Sequence, residues 1–238
     1  MVLTGDEQSI QTRHLGFTIS PHEECGVEEA VRIVEAGGGE VVVLTLGPQE
    51  AVEQLRECMA LGADRALHLV SEEEWDAQAT AAAIVDAVRA EQSGDAAPFD
   101  LIVFGNESAD AGNYQVGIRV AYALGLPVVT GLKGLTVEDG RARCEQETAG
   151  GRDVYLVPLP AVVTVKEGLN LPRYPSVPAK LRANRKPVDA RPVSRPASRL
   201  EKLRLVVPEG AGKQAEVLGH GADAAPAVVE VMQKLGVA

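Results

Sequence analysis

FDLIVFGNESADAGNYQVGIRVAYALGLPVVT, Phe99 to Thr130, is the stretch from which the rest of the sequence is best read. Asp100 to Phe104 is a short run rich in branched and aromatic residues, the length of a buried strand and too short for a helix. Gly105 ends it, and Asn106 to Gly112 is small and polar, with Ser108, Asp110 and Asn113 as candidate helix caps. From Tyr114 the spacing becomes helical, with Val116, Val120, Ala123 and Leu124 on one face. Leu126-Pro127 then opens a second apolar run, Val128 to Thr130. Strand, polar loop, helix and strand make a βαβ unit. Its loop lies at the carboxyl end of a parallel strand, where open α/β sheets hold their ligands.

Upstream, the same alternation repeats. Ser20-Pro21-His22-Glu23-Glu24 reads as a helix start, with a cap, a first-turn proline and carboxylates at the positive end of the dipole. That helix runs to about Ala36 and Gly37-Gly38-Gly39 stops it. These glycines follow a helix instead of opening one, so they read as a C-cap and not as a phosphate loop. Val41 to Leu46 reads as a strand covered on both faces. A helix over about Gln49 to Leu61, a strand Arg65 to Val70 and an alanine-rich helix Trp75 to Glu91 follow. Repeated βα units predict a doubly wound parallel sheet with right-handed crossovers.

Downstream, Leu132 to Val137, Arg141 to Thr148 and Val154 to Val157 are separated by Glu138-Asp139-Gly140 and Ala149-Gly150-Gly151, both hairpin-type turns. They predict an antiparallel extension, after which Ala161 to Val165 returns to the buried-strand pattern. Gly168 to Pro187 is rich in proline and glycine and predicts an exposed loop leading into a short helical turn. Val188 to Ser198, with two more prolines, suits an extended arm, Leu200 to Val207 a strand, and Ala224 to Leu235 a terminal helix. A tail with so little apolar matter of its own suits wrapping around a partner. The expected organisation is an α/β domain over residues 1–187, including the loop 165–187, and a C-terminal arm over residues 188–238.

A formal charge of −11 argues against a general nucleic-acid binder. Cys25, Cys58 and Cys144 are odd in number and far apart, which suits free thiols in a reducing cytoplasm better than a disulfide framework. No apolar run reaches membrane-spanning length and no signal peptide is evident. There is no GxGxxG after a strand, no GxxxxGK[ST], no GxSxG and no HExxH, and His14, His22, His68 and His220 are scattered. An enzyme with its own catalytic centre is therefore a poor reading, and the expected catalytic and metal-ligand sets are empty.

Three features could carry chemistry. Ser108, Asp110 and Gln115 could bond the sugar and phosphate of a nucleotide, helped by amides at the start of the following helix; plain capping is the other reading, and the residues alone leave both open. His22, Glu23 and Cys25 bunch at a helix start without a second cluster, which suits a capped surface turn better than a metal site or a nucleophile. Third, Arg173, Lys180, Arg182, Arg185, Lys186, Arg191, Arg195, Arg199, Lys202 and Arg204 fall in residues 173–204, with only Asp189 and Glu201 as acids. Against an acidic chain, that polarity favours a partner-facing surface over a merely solvated tail.

On these residues the sequence resembles the β subunits of electron-transfer flavoproteins, from about Ser20 to Pro187. GVEEAVRI (Gly26 to Ile33) after the Ser-Pro-His-Glu-Glu turn looks like the family's first helix, and VVVLTLGP followed by ALGADRALHL (Ala60 to Leu69) like its second strand and the segment beyond. FGNESADAGNYQVG (Phe104 to Gly117) is similar to the family's adenine-nucleotide loop. PLPAVVTVKEGLNLPRYPSVPAKLRANRKP (Pro158 to Pro187) resembles its signature and partner-recognition loop, and is the most specific of the four.

The resemblance implies a doubly wound α/β fold of the adenine nucleotide alpha hydrolase-like (HUP) type with an antiparallel extension. It implies a heterodimer with an α subunit, a FAD held chiefly by α near the interface, and AMP in β, replaced by a second FAD in bifurcating relatives. The nucleotide would touch Ser20, Pro21, His22, Glu23, Leu46 and the loop Gly105, Asn106, Glu107, Ser108, Ala109, Asp110, Ala111, Gly112, Asn113, Tyr114, Gln115 and Val116. The loop from Val165 to Pro187 would dock flavin dehydrogenases such as acyl-CoA dehydrogenase through Pro172, Arg173, Tyr174, Val177, Pro178, Lys180, Arg182, Arg185 and Lys186. Val177 stands where the family offers a leucine anchor, and His22 where it has phenylalanine. The implied role is an electron carrier between such dehydrogenases and a quinone oxidoreductase or another acceptor; a non-redox adenine-nucleotide module of the universal-stress type is the alternative. Family members begin with a mid-sheet strand like Val-Leu-Val-Ala-Val-Lys-Gln-Val-Pro-Asp, and Val2 to Asp6 here looks like the segment just after it. The expectation is therefore a sheet short of one inner strand.

Overall fold

Pro21–Gly37 forms the first helix, α1, with Pro21 in its first turn and Glu23 and Glu24 at its positive end. The structure is a computed structural model, and it describes residues 2–13, 15–197, 200–207 and 216–237. His14, Ser198 and Arg199, named above, lie outside the described residues. The chain divides into two units, Leu15–Glu201 and a smaller one made of Met1–His14 and Lys202–Ala238.

In the larger unit, β1 (Val42–Gly47), α2 (Val52–Leu61), β2 (Arg65–Val70), α3 (Ala77–Glu91), β3 (Leu101–Gly105), α4 (Val116–Leu124) and β4 (Val128–Glu138) follow the predicted alternation. Asp76 caps α3 by accepting from the Ala79 amide at 2.8 Å. Then come β5 (Arg141–Thr148), β6 (Gly151–Pro158), β7 (Ala161–Val165), α5 (Val177–Ala183) and β8 (Val188–Pro192). β3, β7 and β4 run parallel, and β4, β5 and β6 antiparallel, in the order β3-β7-β4-β5-β6. The antiparallel extension is present as predicted, with Asp139 and Gly140 both at positive φ in its first hairpin turn.

Successive residues of a strand face opposite sides of a sheet. Gly26 of α1 lies against Val103 and Val165, whereas Gly117 of α4 lies against the residues adjacent to these in each strand, Phe104 and Thr164. α1 and α4 therefore cover opposite faces of β3 and β7. One core layer gathers Cys25 with Leu132, Cys144, Val163 and Val165; a second gathers Ile84, Val85, Val88 and Val120 against Ile102 and Phe104. Burial holds the Cys58 thiol up at about 12 and the Cys144 thiol up at about 11, so both are inert, neutral core groups.

The expected single parallel sheet is in two pieces. β1, β2 and β8 form a separate three-stranded parallel sheet, and among the described residues nothing pairs with the second edge of β1 or of β3. The consequence can be read from burial. β7, flanked on both sides, is buried at all five positions, while the equally apolar β3 is half-buried at all five. Leu44 of β1 nevertheless packs into the same layer as Ile102 and Phe104 of β3.

Two further expectations fail. The arm expected from Val188 begins instead as β8, paired in register with Ala66 to Val70 of β2. Among the described residues its outer edge is unpaired, so flanking Pro187 and terminal Pro192 cost it no central ladder bond. Leu200 to Val207, expected as a strand, has no regular structure; it shares one backbone bond with the N-terminal segment, from Leu205 N to Glu7 O at 2.8 Å. The expected terminal helix is present as α6, Ala225–Leu235. No described residue of the smaller unit is buried.

Candidate functional site

The carboxyl end of β3 carries the loop singled out in the sequence, and the first turn of α1 lies directly over it. A Cβ on Gly105 would collide with the Glu23 carboxyl group, so glycine is what allows that carboxylate to rest on the end of the strand. Ser20, in extended conformation ahead of α1, does not cap the helix; its hydroxyl donates to Glu23. Burial pushes the Glu23 carboxyl above the usual carboxylate range, the bond from Ser20 opposes that push, and Asp110 adds to it. Ser20, Glu23 and Gly105 thus meet in one place, with the exposed Asp110 near enough to act on the carboxyl through its charge. Pro21 is exposed beside them, and His22 is half-buried with its Nδ1 unpartnered among the described residues. Leu46 stands at the carboxyl end of β1, in the other sheet.

Within the loop, Ser108 and Asp110 close a local turn: the Ala111 amide donates to Asp110 Oδ1 at 2.6 Å and to Ser108 Oγ at 3.3 Å. Neither caps α4. The residue ahead of α4 is Gln115, whose side chain instead accepts from Arg119 at 2.9 and 3.1 Å. Among the described residues the first amides of α4 have no side-chain cap. Tyr114 holds φ at +55°, unusual for an aromatic residue, and its hydroxyl bonds to Glu107, which raises its pKa. Ala109 to Ala111 and Asn113 to Gln115 are exposed, and Gly105 to Ser108, Gly112 and Val116 are half-buried.

Below the loop lies a polar chain that sequence reading did not single out. Buried Thr164 accepts from the Gly131 amide at 2.9 Å and donates to Asn106 Oδ1 at 2.8 Å, while Gln146 donates to Thr130 O at 2.9 Å. The signal was present: Thr164 is the one polar residue in the run Ala161 to Val165. The donor set suits a nucleotide. Free helix-end amides suit a phosphate, and a half-buried carboxylate accepts well from ribose hydroxyls or an adenine amino group.

The basic loop has a different geometry. Arg173 is half-buried and bonded to Glu28 and Glu35, and the bonds to Glu35 and Glu28 raise its pKa against the opposing effect of burial. The Lys186 ammonium donates to Met59 O at 3.2 Å and to Ala63 O at 2.6 Å. Between them Tyr174, Val177, Pro178, Lys180, Leu181, Arg182 and Arg185 are exposed, Tyr174 almost completely (99%). Pro172 is half-buried. A hollow of about 330 Å³ lies behind this turn, between it and the end of α2. The metal reading of His22, Glu23 and Cys25 is not met among the described residues: the Glu23 carboxylate is taken by Ser20, and the Cys25 thiol donates to Asn170 O at 3.6 Å.

The sequence profile of the electron transfer flavoprotein domain matches residues 9–196. The electron transfer flavoprotein subunit beta of Syntrophomonas wolfei is 34% identical over 195 residues, covering 82% of this chain and 75% of that protein. The protein of the same name from Mycobacterium leprae is 37% identical over 193 residues, covering 78% and 71%. The caffeyl-CoA reductase-Etf complex subunit CarD of Acetobacterium woodii is 34% identical over 177 residues, covering 71% and 64%. With a profile spanning most of its length and relatives of one name at about a third identity, the chain belongs to the electron transfer flavoprotein family, as a β subunit.

Proposed function

We propose that this β subunit pairs with an α subunit, frames a FAD held chiefly by α, holds AMP at the carboxyl end of β3, and passes electrons from flavin dehydrogenases such as acyl-CoA dehydrogenase to a quinone oxidoreductase or another acceptor. FAD, when bound at the shared interface, supplies the redox chemistry. The chain's own residues bind, orient and dock. Ser20 to Glu23 and the loop Gly105 to Val116 are the proposed nucleotide contacts. A second FAD in the AMP position is the variant expected of a bifurcating complex, and residues 188–238 are the segment proposed to clasp the α subunit.

The observation that carries the reading is the turn from Tyr174 to Arg182. It presents three exposed apolar side chains, Tyr174, Val177 and Leu181, among Lys180, Arg182 and Arg185, which have no acidic partner among the described residues. An apolar anchor ringed by unpaired charge is the pattern of a docking hot spot, where one side chain carries much of the affinity. The universal-stress reading is not favoured: the matched relatives are electron transfer flavoprotein subunits.

Co-expression with the α subunit is expected to give a yellow heterodimer whose flavin is reduced by acyl-CoA dehydrogenase and its substrate. Val177→Asp places a charge at the centre of the anchor and is expected to raise the KM for the dehydrogenase at least about tenfold, the weight of a hot-spot residue, with heterodimer and flavin content unchanged. A colourless homodimer retaining ATP, or a Val177→Asp heterodimer with unaltered KM, overturns the reading.

A further inference from the structure

The exposed turn is held at both ends, and one of its holders is a buried acid with no place in the nucleotide site. Glu28 lies in the middle of α1 at 1% exposure. Its Oε2 accepts from the backbone N of Arg173 at 3.1 Å and from Arg173 Nε at 2.9 Å, and its Oε1 from Arg173 Nη2 at 3.2 Å and Arg32 Nε at 2.6 Å. Glu35, two turns along the same helix, takes the other side of the guanidinium at 2.6 and 2.8 Å. The neighbouring residues are tied to the same helix. Leu171 O accepts from Arg32 Nη2 at 3.2 Å, and Asn170 Nδ2 donates to Cys25 O and to Glu29, each at 2.9 Å.

A second clamp closes the far end against α2. Arg56 Nη1 donates to Ala183 O at 2.7 Å and Lys186 O at 2.6 Å, and Lys186 reaches back to two carbonyls at the end of α2. The Ser176 hydroxyl caps the short helix α5 inside the turn. The segment bearing Tyr174, Val177 and Leu181 is thus suspended between two clamps, and the first depends on one buried carboxylate. Burial alone would push the Glu28 carboxyl up, yet the bonds from Arg173 and Arg32 hold it below the usual carboxylate range, so it is charged at neutral pH.

We propose that Glu28 is a positioning residue for docking of the electron donor: paired with Arg173, it holds the loop in the one conformation that presents Val177. The inference rests on the reading of residues 165–187 as the docking loop. A loop that is competent only part of the time binds its partner more weakly in proportion to the competent fraction. Loss of the pair should therefore appear in the encounter with the donor and not in the chemistry of the flavin.

The test uses the heterodimer with Glu28→Gln, Glu35→Gln and Arg173→Lys. Glu28→Gln keeps the shape and removes the charge; Glu35→Gln alters the exposed side of the pair; Arg173→Lys keeps the charge and loses the fork. Expected are a rise of roughly tenfold in the KM for acyl-CoA dehydrogenase with Glu28→Gln, for a competent fraction reduced to about a tenth, and a smaller rise with Glu35→Gln. kcat at saturating dehydrogenase, the flavin absorption spectrum and the rate of dithionite reduction are expected to stay as in the wild type, and amides of residues 170–183 to exchange faster with deuterium. An intact Glu28→Gln heterodimer with unaltered KM and unaltered exchange overturns the proposal, as does a loss of flavin that lowers kcat along with affinity. Should Glu28→Gln fail to assemble, Glu35→Gln and Arg173→Lys decide on the same readouts. If the wild-type heterodimer takes no electrons from any dehydrogenase, the docking reading fails, while the exchange rates still decide whether Glu28 holds the loop.

Discussion

Glu23 and Glu28 sit five residues apart on one helix and are shifted in opposite directions, because one is half-buried beside the Ser20 hydroxyl and the Asp110 carboxylate and the other is buried between two arginines. Sequence could not separate them. Glu23, Glu24, Glu28 and Glu29 all suit an acidic, solvated helix face, and Glu28 becomes an anchor only because a loop about 145 positions away in sequence folds over it. Their effects on stability oppose one another. Glu23 has a raised pKa in the folded state, so between the usual carboxylate value and that raised value the folded chain binds the extra proton, and stability falls as pH rises through the window. Glu28 has a lowered pKa, so its contribution is complete above the usual carboxylate value and is lost as pH falls below it. Glu23→Gln should therefore flatten the urea-unfolding midpoint across the window just above the ordinary carboxylate range and leave the acid limb below it intact. Gly105→Ala, whose methyl would displace the Glu23 carboxyl into solvent, should flatten the same window. A slope that survives both changes would assign it to another group.

At the scale of elements, legibility followed the period of the apolar pattern. The helices α1 to α4 and strands β1 to β3 announce themselves because each carries its own repeat and its own stop. β8 did not, because its prolines read as an arm when in fact they flank an edge strand. The long strand β4 was read as two, Val128 to Thr130 and Leu132 to Val137, and the reason is instructive. Its register shifts between Val129 and Leu132 on the β7 side, where Gly131 has φ +66°, and between Leu132 and Gly134 on the β5 side. This bulge is where β4 leaves a parallel partner for an antiparallel one, and it leaves the Gly131 amide without a ladder bond. Thr164 supplies the acceptor and donates its own hydrogen bond to Asn106, so one hydroxyl joins β4, β7 and the loop after β3. Thr164→Val keeps the shape and orphans both groups. It should cost about 1–3 kcal/mol in chemical denaturation, the range for unsatisfied buried polar groups. A loss below about 0.5 kcal/mol would mean that water replaces the hydroxyl at both positions.

For the whole molecule, the decisive feature is a sign reversal of charge: a chain of formal charge −11 carries an exposed basic turn, the docking surface proposed above. Sequence exposed the cluster but could not say which of its members face outward, since an arginine bound to a carboxylate and one left in solvent are spelled alike. In the folded chain Arg173 is held by Glu28 and Glu35, Arg191 by Glu91 and Asp189, and Arg195 by Glu73, while Lys186 is spent on carbonyl groups. Lys180, Arg182 and Arg185 remain exposed, and these three should steer an acidic donor past the field of the acidic body. Raising salt from about 0.01 to about 0.1 M shortens the Debye length from about 30 to about 10 Å, so the KM for acyl-CoA dehydrogenase should rise with salt while kcat holds. Replacing Lys180, Arg182 and Arg185 together by Gln should raise KM at low salt and flatten its salt dependence. Lys186→Gln belongs to the other class: with its bonds to Met59 O and Ala63 O removed it should lower the unfolding midpoint, yet leave the salt dependence of the remaining folded heterodimer as steep as before. If the triple variant kept the wild-type salt slope, the steering charge would lie elsewhere on the heterodimer.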